Sequence, residues 1–333
     1  MIGIIGNGSW ATALAKMLTD NGHTIYWWMR NDTAVNHLKN RGHNPQYLTS
    51  VSFQTERLLP TTDIETVAEK CDTLLICVPS AYLLPVLNTL SPEALADKKI
   101  ISAVKGILPE AFLLLNDYLK RDYGVDEQNY VAITGPCHAE EVAQERLSYL
   151  TFSGLNSELT HQIAQEFRTE YISTTVNHDL WGAQYAAVLK NIYAVGAGIA
   201  HGLGYGDNFL SVYITNCYRE MYRFLNLQFE RVHPMNDTPD FHTSAYLGDL
   251  LVTCYSPHSR NRSFGTLIGK GYSVMSATTE MSMVAEGYHA VRGMKSIATQ
   301  LSIDMPIMNL LHACLWEKSL PDSAFAEIEQ LLS

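Results

Sequence analysis

MIGIIGNGSWATALAKMLTDNG, residues 1–22, decides the fold of the first half of the chain. The short apolar run Met1 to Ile5 leads without a break into Gly6-Asn7-Gly8-Ser9-Trp10-Ala11, and the apolar positions Ala13, Leu14, Met17 and Leu18 then recur at helical spacing up to Asn21-Gly22. That order is strand, tight turn, helix, with Gly22 suited to the left-handed conformation that ends a helix. The turn has the form GxGxxA. Gly6 permits the bend, Gly8 lets backbone approach a pyrophosphate, Ala11 allows close packing of helix on strand, and the helix start offers N–H donors to an anion.

Working outward, strand and helix signals keep alternating. Thr24 to Met29 is a second strand ending at Arg30, the position from which a dinucleotide site reads the ribose 2′ substituent. An arginine there stacks on adenine or receives a 2′-phosphate, while Asp32 two residues on pulls the other way, so NAD and NADP both stay open, with NADP tolerance favoured. Residues 34–62 are polar and aperiodic apart from a short helix signal. Asp63 caps a helix through Cys71, Thr73 to Val78 is a buried strand, helices follow near Ala81 to Leu90 and from Ser91-Pro92, and Ile100 to Val104 is a strand ending in Lys105-Gly106. A lysine at that carboxyl edge faces the side where open α/β sheets bind ligands. Glu110 to Arg121 reads as helix and Tyr130 to Thr134 as strand, and Gly135-Pro136-Cys137-His138-Ala139 reads as a turn into a helix near Cys137. Cys137 is taken as a ligand-lining residue, since nothing nearby supplies a base for a nucleophile. Strands at Tyr149 to Ser153 and Tyr171 to Thr174, with the helix Ser157 to Thr169 between them, close this half.

From His178 onward the pattern is helical, which places the domain boundary at 177/178. Trp181 to Asn208 reads as one long helix. Ala183, Ala186, Ala187, Ala194, Ala197 and Gly198 line the face that carries Lys190, so another backbone or a ligand can come close there. An amine on such a face either reaches water along its stem or is buried with a lowered pKa suited to proton transfer. A helix Phe209 to Leu225, an irregular stretch Asn226 to Leu247 containing Pro234, and Gly248 to Cys254 with Asp249 follow. Ser259-Arg260-Asn261-Arg262 at a helix start is a cluster fit to hold a phosphate. Glu280 to Met294 (with Val284 and Glu286), Pro306 to Lys318 and a last helix capped by Asp322 or Ser323 complete the chain.

The 333 residues carry 23 basic and 34 acidic side chains, a net charge of −11, which argues against nucleic acid or an anionic membrane as partner. No apolar run is long enough to span a bilayer, and the first residues lack a signal-like pattern, so a cytoplasmic protein is expected. Six scattered cysteines and 12 histidines show no metal-ligand spacing, and no metal is expected.

Taken together, GNGSWATALA, VKGI, GPCHAEEVA, LKNIYAVGAGIAHGLGYGDN, GDLLVTC, SRNRSFG and AEG resemble, in order across residues 1 to 287, the NAD(P)-dependent glycerol-3-phosphate dehydrogenases of the bacterial type. The resemblance implies an α/β Rossmann domain over 1–177, and over 178–333 an all-α substrate domain like the C-terminal domain of 6-phosphogluconate dehydrogenase. It implies interconversion of sn-glycerol 3-phosphate and dihydroxyacetone phosphate, with NAD or NADP, toward phospholipid synthesis, and a homodimer is expected. In the same terms Gly6, Gly8, Ser9, Trp10, Arg30, Lys105, Ala139, Arg260, Val284 and Glu286 look like cofactor contacts. Lys190, Lys105 and Asp249 look like the catalytic set, and Lys105, Gly135, Cys137, Lys190, Asp249, Ser259, Arg260 and Asn261 like substrate contacts. Two features depart from the family: Cys137 stands where it usually has serine or threonine, and Asn226 to Leu247 does not resemble its usual loop. The residues alone leave two alternatives, a related dehydrogenase acting on a hydroxyacid and a nucleotide-sensing protein without catalysis.

Overall fold

A computed structural model describes residues 1–232, 238–281 and 284–333. The chain forms two compact units, Met1–Val104 with Leu114–Leu180, and Lys105–Leu113 with Trp181–Ser333.

The first unit is built on eight strands: β1 (Ile2–Ile5), β2 (Ile25–Trp28), β3 (Leu58–Thr61), β4 (Thr73–Ile76), β5 (Lys99–Ser102), β6 (Tyr130–Thr134), β7 (Ser148–Gly154) and β8 (Ile172–Asn177). They lie in the order β3-β2-β1-β4-β5-β6-β7-β8. All neighbours are parallel except β6 and β7. This is the doubly wound α/β arrangement expected, with the order reversing at β1, so the crevice beyond the carboxyl ends of β1 and β4 is the ligand side. β1 shows why the run of apolar residues was required: Ile4 and Ile5 are fully buried, packed from both faces as parallel strands are. The short helix signalled within residues 34–62 is Asp32–Arg41, capped by the Asn31 side chain, and the same stretch also holds the edge strand β3, which its polarity does not announce. In place of a helix from Glu110, the helix here is Leu115–Tyr123, and the helix foreseen near Cys137 begins at Ala139.

Among its described residues the second unit is helical, with an isolated bridge between Leu108 and Leu113. Its centre is the helix Leu180–Gly202, buried along nearly its whole length and apolar except at Gln184, Lys190, Asn191 and His201. It stops six residues short of the expected Asn208: Gly204 takes φ +91°, and Tyr205 N–H bonds back to Ala200 O. The next helix, Asp207–Val232, is longer than expected and includes Asn226 to Val232, so the stretch read as irregular is helical at its start; Pro234 lies outside the described residues. A single π-helical turn, Ser244–Gly248, leads into the helix Asp249–Tyr255. Helices Arg260–Gly269, Val274–Glu280, Glu286–Gln300, Pro306–Trp316 and Pro321–Leu331 follow. The helix expected from Glu280 therefore starts at Glu286, and the last one starts at Pro321 without a side-chain cap from Asp322 or Ser323.

Small residues set the contact that orders this unit. A Cβ at Gly198 or Gly202 would strike the Arg262 and Thr266 carbonyls, and one at Gly265 or Gly269 would strike those of Val195 and Ile199. Each helix thus presents a glycine pair four residues apart to the backbone of the other, and the two axes approach closely. That crossing brings Ser259, Arg260 and Asn261, at the start of one helix, alongside the middle of the other.

Candidate active site

In the first unit the glycine turn is held from three directions. Trp27 Nε1 donates to Gly6 O at 2.7 Å, Asn44 Nδ2 donates to Asn7 O at 3.0 Å and to Thr12 Oγ1 at 2.9 Å, and Thr12 Oγ1 donates to Gly8 O at 3.0 Å. Gly6 sits at φ +124°, and a Cβ there would lie 2.7 Å from Cys77 O, so glycine is required. At Gly8 a Cβ would meet nothing within 4 Å. The open space in front of Gly8, at the start of the Ser9–Asp20 helix, fits a pyrophosphate, whereas folding makes no demand for glycine there. Ser9 and Trp10 form the first turn of this helix. Arg30 is exposed just beyond β2. Asp32, its neighbour two residues on, accepts from Thr62 Oγ1 at 2.9 Å. Gly135 follows β6 at φ +110°, with the Tyr149 carbonyl 2.8 Å from where its Cβ would be. Cys137 is half-buried and packs against the apolar core, and Ala139 is buried in the first turn of the Ala139–Ala143 helix.

The second unit holds the titratable centre. Lys190 Nζ and Asp249 Oδ1 form an ion pair, with the two residues only 5% and 1% exposed. Burial is the largest influence on the amine and disfavours its charge; the Asp249 carboxylate opposes this, and the positive charge of Lys105 adds to it, leaving Lys190 pushed down to about 8. Asp249 Oδ2 is buried and has no hydrogen-bond partner among the described residues, so one acceptor in the centre stands open. Thr253 Oγ1 donates to Asp249 O at 2.6 Å and steadies the turn that presents the carboxylate.

A chain of amides ties three helices to this centre. Gly287 N–H donates to Asn261 Oδ1 at 2.9 Å, Asn261 Nδ2 donates to Asn191 Oδ1 at 2.9 Å, and Asn191 Nδ2 donates to Lys105 O at 3.2 Å. Because the first donor is a backbone N–H, it fixes the orientation of both amides in turn. Gly287 admits the contact, since any side chain there would collide with the Asn191 carbonyl. Lys105, Lys190, Asp249 and Asn261 are therefore brought together, with Arg260 half-buried beside Asn261 and Glu286 beside Gly287. Ser259 caps its own helix by accepting from Arg262 N–H at 3.3 Å. Val284 is half-buried two residues before the Glu286–Gln300 helix. Asn44 and Asn191 escaped the sequence reading. Asn191 had a signal, an amide next to the lysine on a face of small residues; Asn44, in a polar turn, had none.

A family profile described as NAD-dependent glycerol-3-phosphate dehydrogenase N-terminus matches residues 1–160, and its counterpart for the C-terminus of the same enzymes matches residues 179–326. The chain is 33% identical over 329 residues to a glycerol-3-phosphate dehydrogenase [NAD(P)+] of Salinibacter ruber, covering 98% of this chain and 93% of that one. It is 32% identical over 317 residues to that of Staphylococcus haemolyticus, with 95% and 93% covered. The crystal structure of glycerol-3-phosphate dehydrogenase from Coxiella burnetii superposes with a TM-score of 0.89 at 28% identity, covering 98% of both chains.

Proposed function

This chain belongs to the NAD-dependent glycerol-3-phosphate dehydrogenase family, and on that premise we propose that Lys190 is the group that moves the proton in its reaction. The enzyme interconverts sn-glycerol 3-phosphate and dihydroxyacetone phosphate by hydride transfer with NAD or NADP. Family membership decides against the hydroxyacid alternative.

When bound, the nicotinamide supplies or accepts the hydride at the carbinol carbon. In the first unit Gly6, Gly8, Ser9, Trp10, Arg30 and Ala139 are the residues proposed to hold the cofactor. Lys190 donates a proton to the oxygen as dihydroxyacetone phosphate is reduced and takes it back in oxidation, a task suited to an amine poised near 8. Asp249 keeps that amine from being discharged by its burial, and its open Oδ2 accepts from a substrate hydroxyl. Lys105 stabilises negative charge developing on the same oxygen. Arg260, beside Ser259 at the start of its helix, grips the substrate phosphate. Asn261, committed to Asn191 and Gly287, acts by fixing the start of its helix.

The observation that carries this reading is the buried Lys190 and Asp249 pair. Its test is a purified-protein assay of nicotinamide absorbance with dihydroxyacetone phosphate and with short 2- and 3-oxoacids; turnover of the oxoacids alone would reject the reading, and NADH binding without any turnover would favour a sensor.

We further infer a role in supplying glycerol 3-phosphate, the backbone of glycerophospholipids, in the cytoplasm. The six free thiols support a reducing compartment, and among the described residues no helix is long and apolar enough to cross a membrane. The net charge of −11 speaks against nucleic acid.

A further inference from the structure

Lys105 is carried by a segment with no regular structure of its own. Within Lys105–Leu113, Leu108 N–H bonds Leu113 O at 3.0 Å and Phe112 N–H bonds Leu108 O at 2.9 Å, closing a tight loop in which Phe112 adopts φ +51°. A bulky L-residue rarely takes that conformation, and it persists only where the surroundings determine it.

Two contacts from the Glu286–Gln300 helix supply that determination. The Arg292 guanidinium lies 5.8 Å from the Phe112 ring centroid and 5.4 Å from that of Trp316. Trp316 is itself fixed, stacked on Tyr288 at 4.6 Å with Nε1 donating to Tyr288 O at 3.0 Å. One residue on, Gly293 receives the buried Ile107 side chain so closely that a Cβ there would fall 2.6 Å from Ile107 Cγ2 and 2.8 Å from Ile107 Cβ. Beyond Ile107 the backbone reaches Lys105, whose carbonyl is held by Asn191 and whose charge acts on Lys190.

We propose that Gly293 and Arg292 are positioning residues for the reaction: by seating Ile107 and Phe112 they hold the Lys105–Leu113 segment, and with it the Lys105 amine, beside Lys190. Neither residue belongs to the amide chain or to the ion pair. Gly293 is the stronger of the two, because its contact is buried and allows no added atom, whereas the Arg292 clamp is at the surface. This inference rests on Lys190 as the proton-transfer group.

The experiment is the pH profile of kcat/KM for glycerol 3-phosphate oxidation by the complete enzyme. Oxidation needs the neutral Lys190 amine, so the rate climbs through its pKa. In Gly293→Ala the displaced Lys105 presses less on that amine, and the midpoint of the climb moves to higher pH by about half a unit or more. NADH binding followed by fluorescence is retained, since the glycine turn at Gly6 and Gly8 is untouched. Adding Ile107→Ala to Gly293→Ala clears the path and returns the midpoint toward its parental position. Arg292→Ala, which leaves the buried contact alone, moves it in the same direction by less and decides the matter should Gly293→Ala not fold. An activity loss with an unmoved midpoint in both variants, or no recovery in the double variant, overturns the proposal. Loss of the climb in Lys190→Ala together with no shift in Gly293→Ala rejects this inference alone; persistence of the climb in Lys190→Ala rejects the reading beneath it.

Discussion

Replacing Asp249 by asparagine keeps the shape of the buried centre and removes its negative charge. The hydrogen bond from Thr253 goes to the backbone of residue 249 and survives the change. Lys190 is then left with burial and the Lys105 charge, both of which lower its pKa, so it falls below its present value of about 8. Breaking a buried ion pair by removing one partner costs roughly 3–5 kcal/mol when the orphaned charge must stay. Here it need not stay, because the amine can discharge. An ordinary lysine titrates at 10.5 and this one at about 8, so most of the cost of discharging at pH 7 is already borne by the parent protein. The further loss through Lys190 is limited to roughly 1–2 kcal/mol at pH 7. The sign of its pH dependence follows. The folded pKa lies below the unfolded one, so the penalty is complete at pH below the folded value and disappears as pH rises toward the unfolded value. The difference between Asp249→Asn and parent therefore widens below pH 7 and closes above about pH 8. In catalysis the descending limb of dihydroxyacetone phosphate reduction, where Lys190 loses its proton, moves to lower pH, and turnover falls by about 10²-fold. Urea unfolding at several pH values and a pH profile of NADH oxidation are the assays. A stability gap independent of pH, or a limb that stays in place, would refute this reasoning.

Gly8→Val should leave urea stability within about 0.5 kcal/mol of parent, because a Cβ at residue 8 meets nothing within 4 Å, yet weaken NADH binding by roughly tenfold or more in a fluorescence titration. Arg30→Ala should raise the KM for NADPH by about tenfold and that for NADH much less, since Asp32 is engaged by Thr62 and Arg30 is left to meet a 2′-phosphate; parallel titrations check it. Asn261→Ala strands the Gly287 N–H and one Asn191 acceptor in a buried setting and should cost about 1–3 kcal/mol in denaturant unfolding.

The glycine turn, the parallel strands and the lysine-bearing helix were legible because each rests on a local pattern: a fixed spacing, an apolar run, a face of small residues. What escaped depends on partners distant in sequence. β3 reads as loop because Pro60 removes a donor, which only its place at the sheet edge makes tolerable. The helix through Val232 lacks a stop signal at Leu225, and the polar run that continues it has the composition of a loop. The grouping of Lys105–Leu113 with the helical unit is written in Gly293 and Asn191, 188 and 86 residues from Lys105, and no window of sequence contains both ends of such a contact. Lys105 and Lys190 were visible as residue types at plausible positions; that Lys190 is buried against Asp249 comes only from the packing of the Asp249–Tyr255 helix on the Leu180–Gly202 helix.

Single-turnover kinetics of Lys190→Ala address the proton-transfer assignment most directly. With NADH affinity retained, reduction of dihydroxyacetone phosphate should slow by roughly 10²-fold or more and lose its dependence on a group titrating near 8. Turnover close to that of the parent, with the limb near pH 8 still present, would contradict the account.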